Sequence, residues 1–151
     1  MKIFRLKLLA VIILSSCGKD DSTCCTNFDI TVNLAVKSDD NKDLLNPNNA
    51  GSYKLGDIKV QYLVDNALQN PSKGLEPSII DDFNQYLLRI TADPAKGSPQ
   101  TITLSWGSLS TDTLLCELSI SNNSTSITSV HLNGNRIWLI GDGARNFTLF
   151  K

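Results

Sequence analysis

Apolar and polar residues alternate with a period of two along most of the chain beyond residue 27. Phe28, Ile30, Val32, Leu34 and Val36 fall on one side of an extended segment and Asp29, Thr31 and Asn33 on the other, the pattern of a half-buried strand. Ile58, Val60, Tyr62 and Val64 repeat it, and Asp65-Asn66 suits a tight turn into a short return strand. Tyr86, Leu88 and Ile90 alternate with Leu87, Arg89 and Thr91 until Asp93-Pro94 and Lys96-Gly97-Ser98-Pro99 interrupt the segment. Ile102, Leu104 and Trp106 form a further strand. Leu114, Cys116, Leu118 and Ile120 share a face opposite Leu115, Glu117 and Ser119.

The sharpest turn signal is Asn133-Gly134, which joins Ile127–Leu132 to Arg136–Ile140, because this pair tolerates the positive backbone angles of a two-residue hairpin. Gly141-Asp142-Gly143 then leads into a last strand, Phe147–Phe150. No long stretch holds a three-to-four period, and only Asp82–Leu88 suggests a single helical turn. Seven to eight short strands predict an all-β fold, an antiparallel β-sandwich that is immunoglobulin-like or transthyretin-like. A small closed barrel is the competing architecture, since both bury one face of each strand.

The residues ahead of this region follow another rule. Lys2, Arg5 and Lys7 precede the apolar Leu8–Leu14, which is too short for the roughly 20 residues of a spanning helix and ends at Leu14-Ser15-Ser16-Cys17. That ending resembles the lipobox of bacterial lipoproteins. The resemblance implies removal of a leader before Cys17 and lipidation of its thiol. Cys17-Gly18-Lys19-Asp20-Asp21 is similar to the export signal of surface lipoproteins in the Bacteroidota, in which Lys19, Asp20 and Asp21 direct display on the outer face of the outer membrane. The expected organisation is a signal peptide over 1–16, a lipidated tether over 17–27 and a single β-sandwich domain over 28–151.

The connection from Lys37 to Asp57 departs from plain strand and turn, and connections of that length inside a domain are commonly functional. Its Asp43-Leu44-Leu45-Asn46-Pro47-Asn48 resembles a motif of small Bacteroidota surface lipoproteins. The likeness extends to the strand Ile102–Trp106, to Asp112-Thr113 and to the ending with Asn133-Gly134 and Ile137-Trp138. It implies a lipid-anchored β-sandwich and brings no activity with it. Asp39, Asn41 and Asp43 have the alternate spacing of a calcium loop, yet Leu44 and Ala50 stand where an EF-hand needs Gly and a bidentate Glu. An Asx-rich turn, its side chains bonded to nearby backbone, is the plainer reading.

Loss of Lys2, Arg5 and Lys7 with the leader leaves eleven basic residues against fifteen acidic ones, a net of about −4, and no basic stripe runs along any strand. A nucleic-acid partner is not expected. Cys24 or Cys25 could bridge to Cys116 in an oxidising compartment, or Cys116 could simply be a small buried hydrophobe. Adjacent cysteines and a lone histidine, His131, do not suit zinc. Trp106 and Trp138 could stack on a sugar ring, but both are in phase with apolar neighbours, which favours the core. Asp21-Ser22-Thr23 and Asp112-Thr113-Leu114 resemble O-glycan acceptors of exported Bacteroidota proteins, with Ser22 and Thr113 as the acceptors.

Two function classes follow. The first is a non-catalytic binding or structural module at the membrane, touching a glycan or an envelope or host protein and needing no cofactor. The second is a small hydrolase acting on glycan or peptide, using carboxylates such as Asp81, Asp82, Asp112 and Glu117 brought together in a cleft.

Overall fold

The first alternating segment does not stay in one sheet. In the computed structural model, which describes residues 27–108 and 110–151, β1 (Asn27–Asp29) pairs in parallel with β9 (Ser124–Leu132) in the larger sheet. The chain then crosses at Ile30 and continues as β2 (Thr31–Lys37) in the smaller one. The crossing is fixed by a bond from the Ala92 amide to the Ile30 carbonyl, 2.8 Å. A period-two pattern does not reveal such a switch, because Phe28 continues the parity of Ile30 and Val32 in the sequence although all three residues of β1 are exposed.

Beyond β2 come β3 (Ile58–Val64), β4 (Ala67–Gln69), β5 (Ser78–Asp82), β6 (Gln85–Thr91), β7 (Gln100–Trp106) and β8 (Ser110–Ile120). After β9 follow β10 (Asn135–Leu139) and β11 (Asn146–Phe150). The larger sheet runs β1-β9-β8-β7-β3-β4, with β10 on the same free edge of β9 as β1, and the smaller runs β11-β2-β6-β5. The fold is all-β and sandwich-like. It has eleven strands among the described residues rather than seven or eight, and it is not purely antiparallel, since β1 joins β9 and β11 joins β2 in parallel. The helical turn expected over Asp82–Leu88 is instead the β5–β6 hairpin.

Between the sheets lies one apolar cluster. Val32, Leu34 and Val36 of β2 with Leu88 and Ile90 of β6 meet Val60 and Tyr62 of β3, Ile102, Leu104 and Trp106 of β7, and Leu114 and Cys116 of β8. The Asp65-Asn66 and Asn133-Gly134 turns take the positive φ values that two-residue hairpins need, 49° and 62° in the first and 50° and 82° in the second.

Polar groups that enter this interior are paired. Trp106 is 0% exposed and its Nε1 donates to Asp112 Oδ2 at 2.7 Å; Asn133 Nδ2 donates to Oδ1 at 2.8 Å, and the Lys151 ammonium pairs with the same carboxylate. Lys151 also lies 5.5 Å from the Trp106 ring centre. Burial alone would raise the Asp112 pKa, but the hydrogen bonds from Lys151, Asn133 and Trp106 and the charge of Lys151 outweigh it and hold the carboxyl below the usual 3.8. At the other end of the sandwich Arg145 clasps the sheet switch: Nε donates to the Thr31 carbonyl at 2.9 Å, the guanidinium forks onto Asp29, and its plane stands 4.8 Å from the Trp138 ring centre.

Because the native pKa of Asp112 is depressed, the stability it supplies is complete above about pH 3.8 and is lost as pH falls through the lower native value. Asp112→Ala strands both the Lys151 charge and the indole N–H, and is expected to cost about 3–5 kcal/mol in urea unfolding at neutral pH. Asp112→Asn, which keeps an acceptor, should fall between. A wild-type midpoint for Asp112→Ala would show that the ion pair contributes nothing.

Candidate functional site

The connection between β2 and β3 closes one end of the sandwich and is built from side chains that bond to backbone. Asp43 stands at its centre: Oδ1 accepts from the Leu45 amide at 2.8 Å, and Oδ2 accepts from the Tyr86 amide of β6 at 2.9 Å. Asn46 Oδ1 accepts from the Asn48 amide at 2.9 Å, and Asn49 Nδ2 donates to the Asp43 carbonyl at 2.8 Å. These are the Asx-type turns that the composition suggests. They set Leu45 into the core and lay Tyr53 against Trp106, ring centres 5.3 Å apart.

Two hollows open on either side of this strap. The first, about 440 Å³, is polar and lies between the strap and the β5–β6 tip, lined by Lys37, Asn41, Asp43, Asp82, Asn84 and Gln85 with Phe83 on its rim. The second, about 290 Å³, is largely apolar, with Leu45, Pro47, Tyr53, Leu55, Ile79 and Tyr86 in its wall. The Asp43–Tyr86 bond lies between them, since Asp43 lines one and Tyr86 the other.

Phe83 is the residue that sequence reasoning missed. It is 97% exposed, and its φ of +54° is one that bulky side chains rarely adopt. The turn is tight, with the Asn84 amide bonded back to the Asp82 carbonyl at 2.6 Å. An unburied Phe forgoes about 1.5–3 kcal/mol of transfer energy, and a backbone in this region costs about 1–3 kcal/mol more. The available signal was Asp82-Phe83-Asn84, an aromatic between two turn-forming residues ahead of an alternating strand.

The other candidate residues fall elsewhere. Trp106 and Trp138 are not a sugar platform: both are enclosed, with Trp138 donating to the Gly143 carbonyl at 3.0 Å beneath the Arg145 guanidinium. Asp43 has both oxygens committed to amides, Asp40 rather than Asp39 is engaged by Ser38, and Asn41 sits in a left-handed turn at φ +61°. No group of three or more His, Cys, Asp or Glu is gathered for a metal among the described residues.

Cys116 is a free, buried thiol at the centre of β8, and burial, eased slightly by the charge of Arg145, pushes it up to about 12. Thr113 is half-buried on the outer face of β8, its amide tied to Asn133 Oδ1 at 2.9 Å, and the neighbouring Asp112 serves the core. His131 is on the outer face of β9 opposite Leu115, and Glu117 accepts from the Ser129 hydroxyl at 2.8 Å. Cys17, Lys19, Asp20, Asp21, Ser22, Cys24 and Cys25 lie outside the described residues.

Compared with protein-family models, curated proteins and solved structures, the chain matches none.

Asp43→Ala removes the acceptor from two amides, which should cost about 1–3 kcal/mol. Hydrogen exchange locates the loss: the Leu45 and Tyr86 amides should exchange markedly faster, while those of β7 and β8 keep the protection set by global unfolding. Uniform acceleration across all strands would mean that the strap and the core are one cooperative unit.

Proposed function

We propose that this chain is a surface-anchored lipoprotein, a non-catalytic binding or structural module of a bacterial outer membrane, with its binding end turned away from the lipid. The order of parts along the molecule carries this reading. Cys17, with its lipobox and the following Lys19-Asp20-Asp21, precedes Asn27 by about ten residues, which span at most ~35 Å. Asn27 enters the sandwich beside the 121–123 turn, where its amide bonds the Asn123 carbonyl at 3.1 Å. Both hollows lie at the other end, where β2, β5 and β6 meet the strap.

A tether at one end and open side chains at the other suit a module that presents a site outward. A non-catalytic role is supported by what the titratable groups already do. Asp112, Asp43 and Glu117 are spent on structural bonds, and the single imidazole stands apart from both hollows.

The test is made in a Bacteroidota host fed with labelled palmitate. The chain should carry the label and lose it in Cys17→Ser. Proteinase K should degrade it on intact cells, and replacing Lys19, Asp20 and Asp21 together by Ala should protect it from the protease without abolishing the label. A product that keeps its first sixteen residues, or bears no acyl chain, overturns the proposal.

A further inference from the structure

We infer that the polar hollow at the β5–β6 tip is a binding site for a neutral saccharide, with Phe83 as its stacking face. The inference deepens the reading above by naming the ligand class of the outward end, and it rests on that end having a binding role. Three observations converge on it. The first is the ring itself: Phe83 is 97% exposed and held on a tight turn at φ +54°, so it covers no part of the core. An aromatic face offers flat apolar area and a negative quadrupole, to which the polarised C–H bonds of a pyranose are attracted.

The second is the state of the lining. Among the described residues, the side chains of Lys37, Asn41, Asp82, Asn84 and Gln85 make no hydrogen bond to another protein group, although all border the same space of about 440 Å³. Amides supply paired donors and acceptors, a carboxylate accepts and an ammonium donates. That inventory matches vicinal hydroxyls, each of which gives and takes a bond. The contrast with Asp43 is direct, because each oxygen of its carboxylate already accepts from a backbone amide, Leu45 for one and Tyr86 for the other, which fixes it as part of the wall.

The third is charge. One ammonium, Lys37, faces the carboxylates of Asp82 and Asp43, with no arginine in the lining, so phosphate or sulfate would meet net repulsion. A cation finds no bare acidic cluster, since Asp43 is engaged and Lys37 shares the space with Asp82. A ligand that is uncharged, hydroxyl-rich and flat on one face remains. The space fits one to two sugar rings at the end of a longer chain, in keeping with a hollow open to solvent.

The full-length lipidated chain, purified in detergent, is run in native gels cast with neutral polysaccharides (amylopectin, laminarin, galactomannan and xyloglucan) and with the polyanions heparin and polygalacturonate. At least one neutral polymer should retard it, and neither polyanion should. Phe83→Gly removes the ring and also relaxes the turn. It should weaken retardation at least tenfold in polymer concentration while leaving the melting temperature equal to or above that of the unaltered chain. Asp82→Asn should weaken it several-fold, and Leu68→Ala, which trims an exposed apolar side chain on the β3–β4 hairpin, should leave it unchanged. No retardation by any neutral polymer, retardation by polyanions alone, or binding indifferent to Phe83→Gly overturns the inference. Cys17→Ser separates it from the anchor: that variant should lose its acyl chain and keep its polysaccharide binding. A chain that is lipidated and displayed but not retarded sinks the saccharide site while leaving the anchored module standing.

Discussion

Everything at the strap end of the sandwich depends on one carboxylate. The segment between β2 and β3 must carry the chain from the smaller sheet to the larger one, and it sets Leu45 into the core on the way. A free connection of that length would leave backbone groups without partners and an apolar rim exposed to water. Asp43 resolves both difficulties by accepting from Leu45 within the strap and from Tyr86 on the neighbouring strand. The first bond shapes the turn that drops Leu45 into the core, and the second pins the turn to the sheet. The bond from the Tyr53 amide to the Leu44 carbonyl, 2.7 Å, then brings the aromatic ring down on Trp106, so the plug is continuous with the main cluster. The same carboxylate that could have been a calcium ligand is therefore a structural acceptor.

The two ends of the sandwich follow one rule with different residues. Charged groups drawn against the core are placed where one fork or one ammonium can serve several partners at once. Arg145 holds β1, β2 and the Trp138 face together, and Lys151 with Asp112 ties β8 to the Trp106 indole and the Asn133 turn. Near the chain-entry end, Gln100 answers both the amide and the carbonyl of Asp93, while the Asp93 carboxylate accepts from Ser72 and Ala95. Such sharing offsets desolvation that a lone ion pair would not.

Much of this was legible in the sequence. Period-two alternation gave β2, β3, β6, β7 and β8, and the Asn133-Gly134 pair gave β9 and β10 as a hairpin with its register, because each rests on local geometry. The sheet switch at Ile30 was not legible, since Phe28 and Ile30 share a parity although one is 58% exposed and the other buried. Strand β5 escaped notice because Ser78-Ile79-Ile80-Asp81-Asp82 does not alternate and its partner is set by a turn with Phe at a positive φ. Trp106 and Trp138 were the aromatics that drew attention, and their phase with apolar neighbours was the correct guide to burial. Phe83 drew none, for exposure at a hairpin tip is decided by the turn and not by the pattern around it.

The strain at Phe83 and the rigidity of the strap belong together. A residue at φ +54° relaxes unless its surroundings fix both flanks of the turn. Here β5 and β6 fix them by five consecutive pairs from Ser78–Arg89 to Asp82–Gln85, and the Asp43–Tyr86 bond fixes β6 from the opposite side. The ring is thus presented by a hairpin that cannot easily bend away, and the polar lining is held at a set distance from it. Pre-arrangement of this kind lowers the ordering cost of binding, which matters most for a hydroxyl-rich ligand whose own desolvation leaves little surplus. An exposed phenyl on a floppy loop would have no such standing. On a strained turn braced from two sides, its exposure is a property that the fold maintains against the easier alternative.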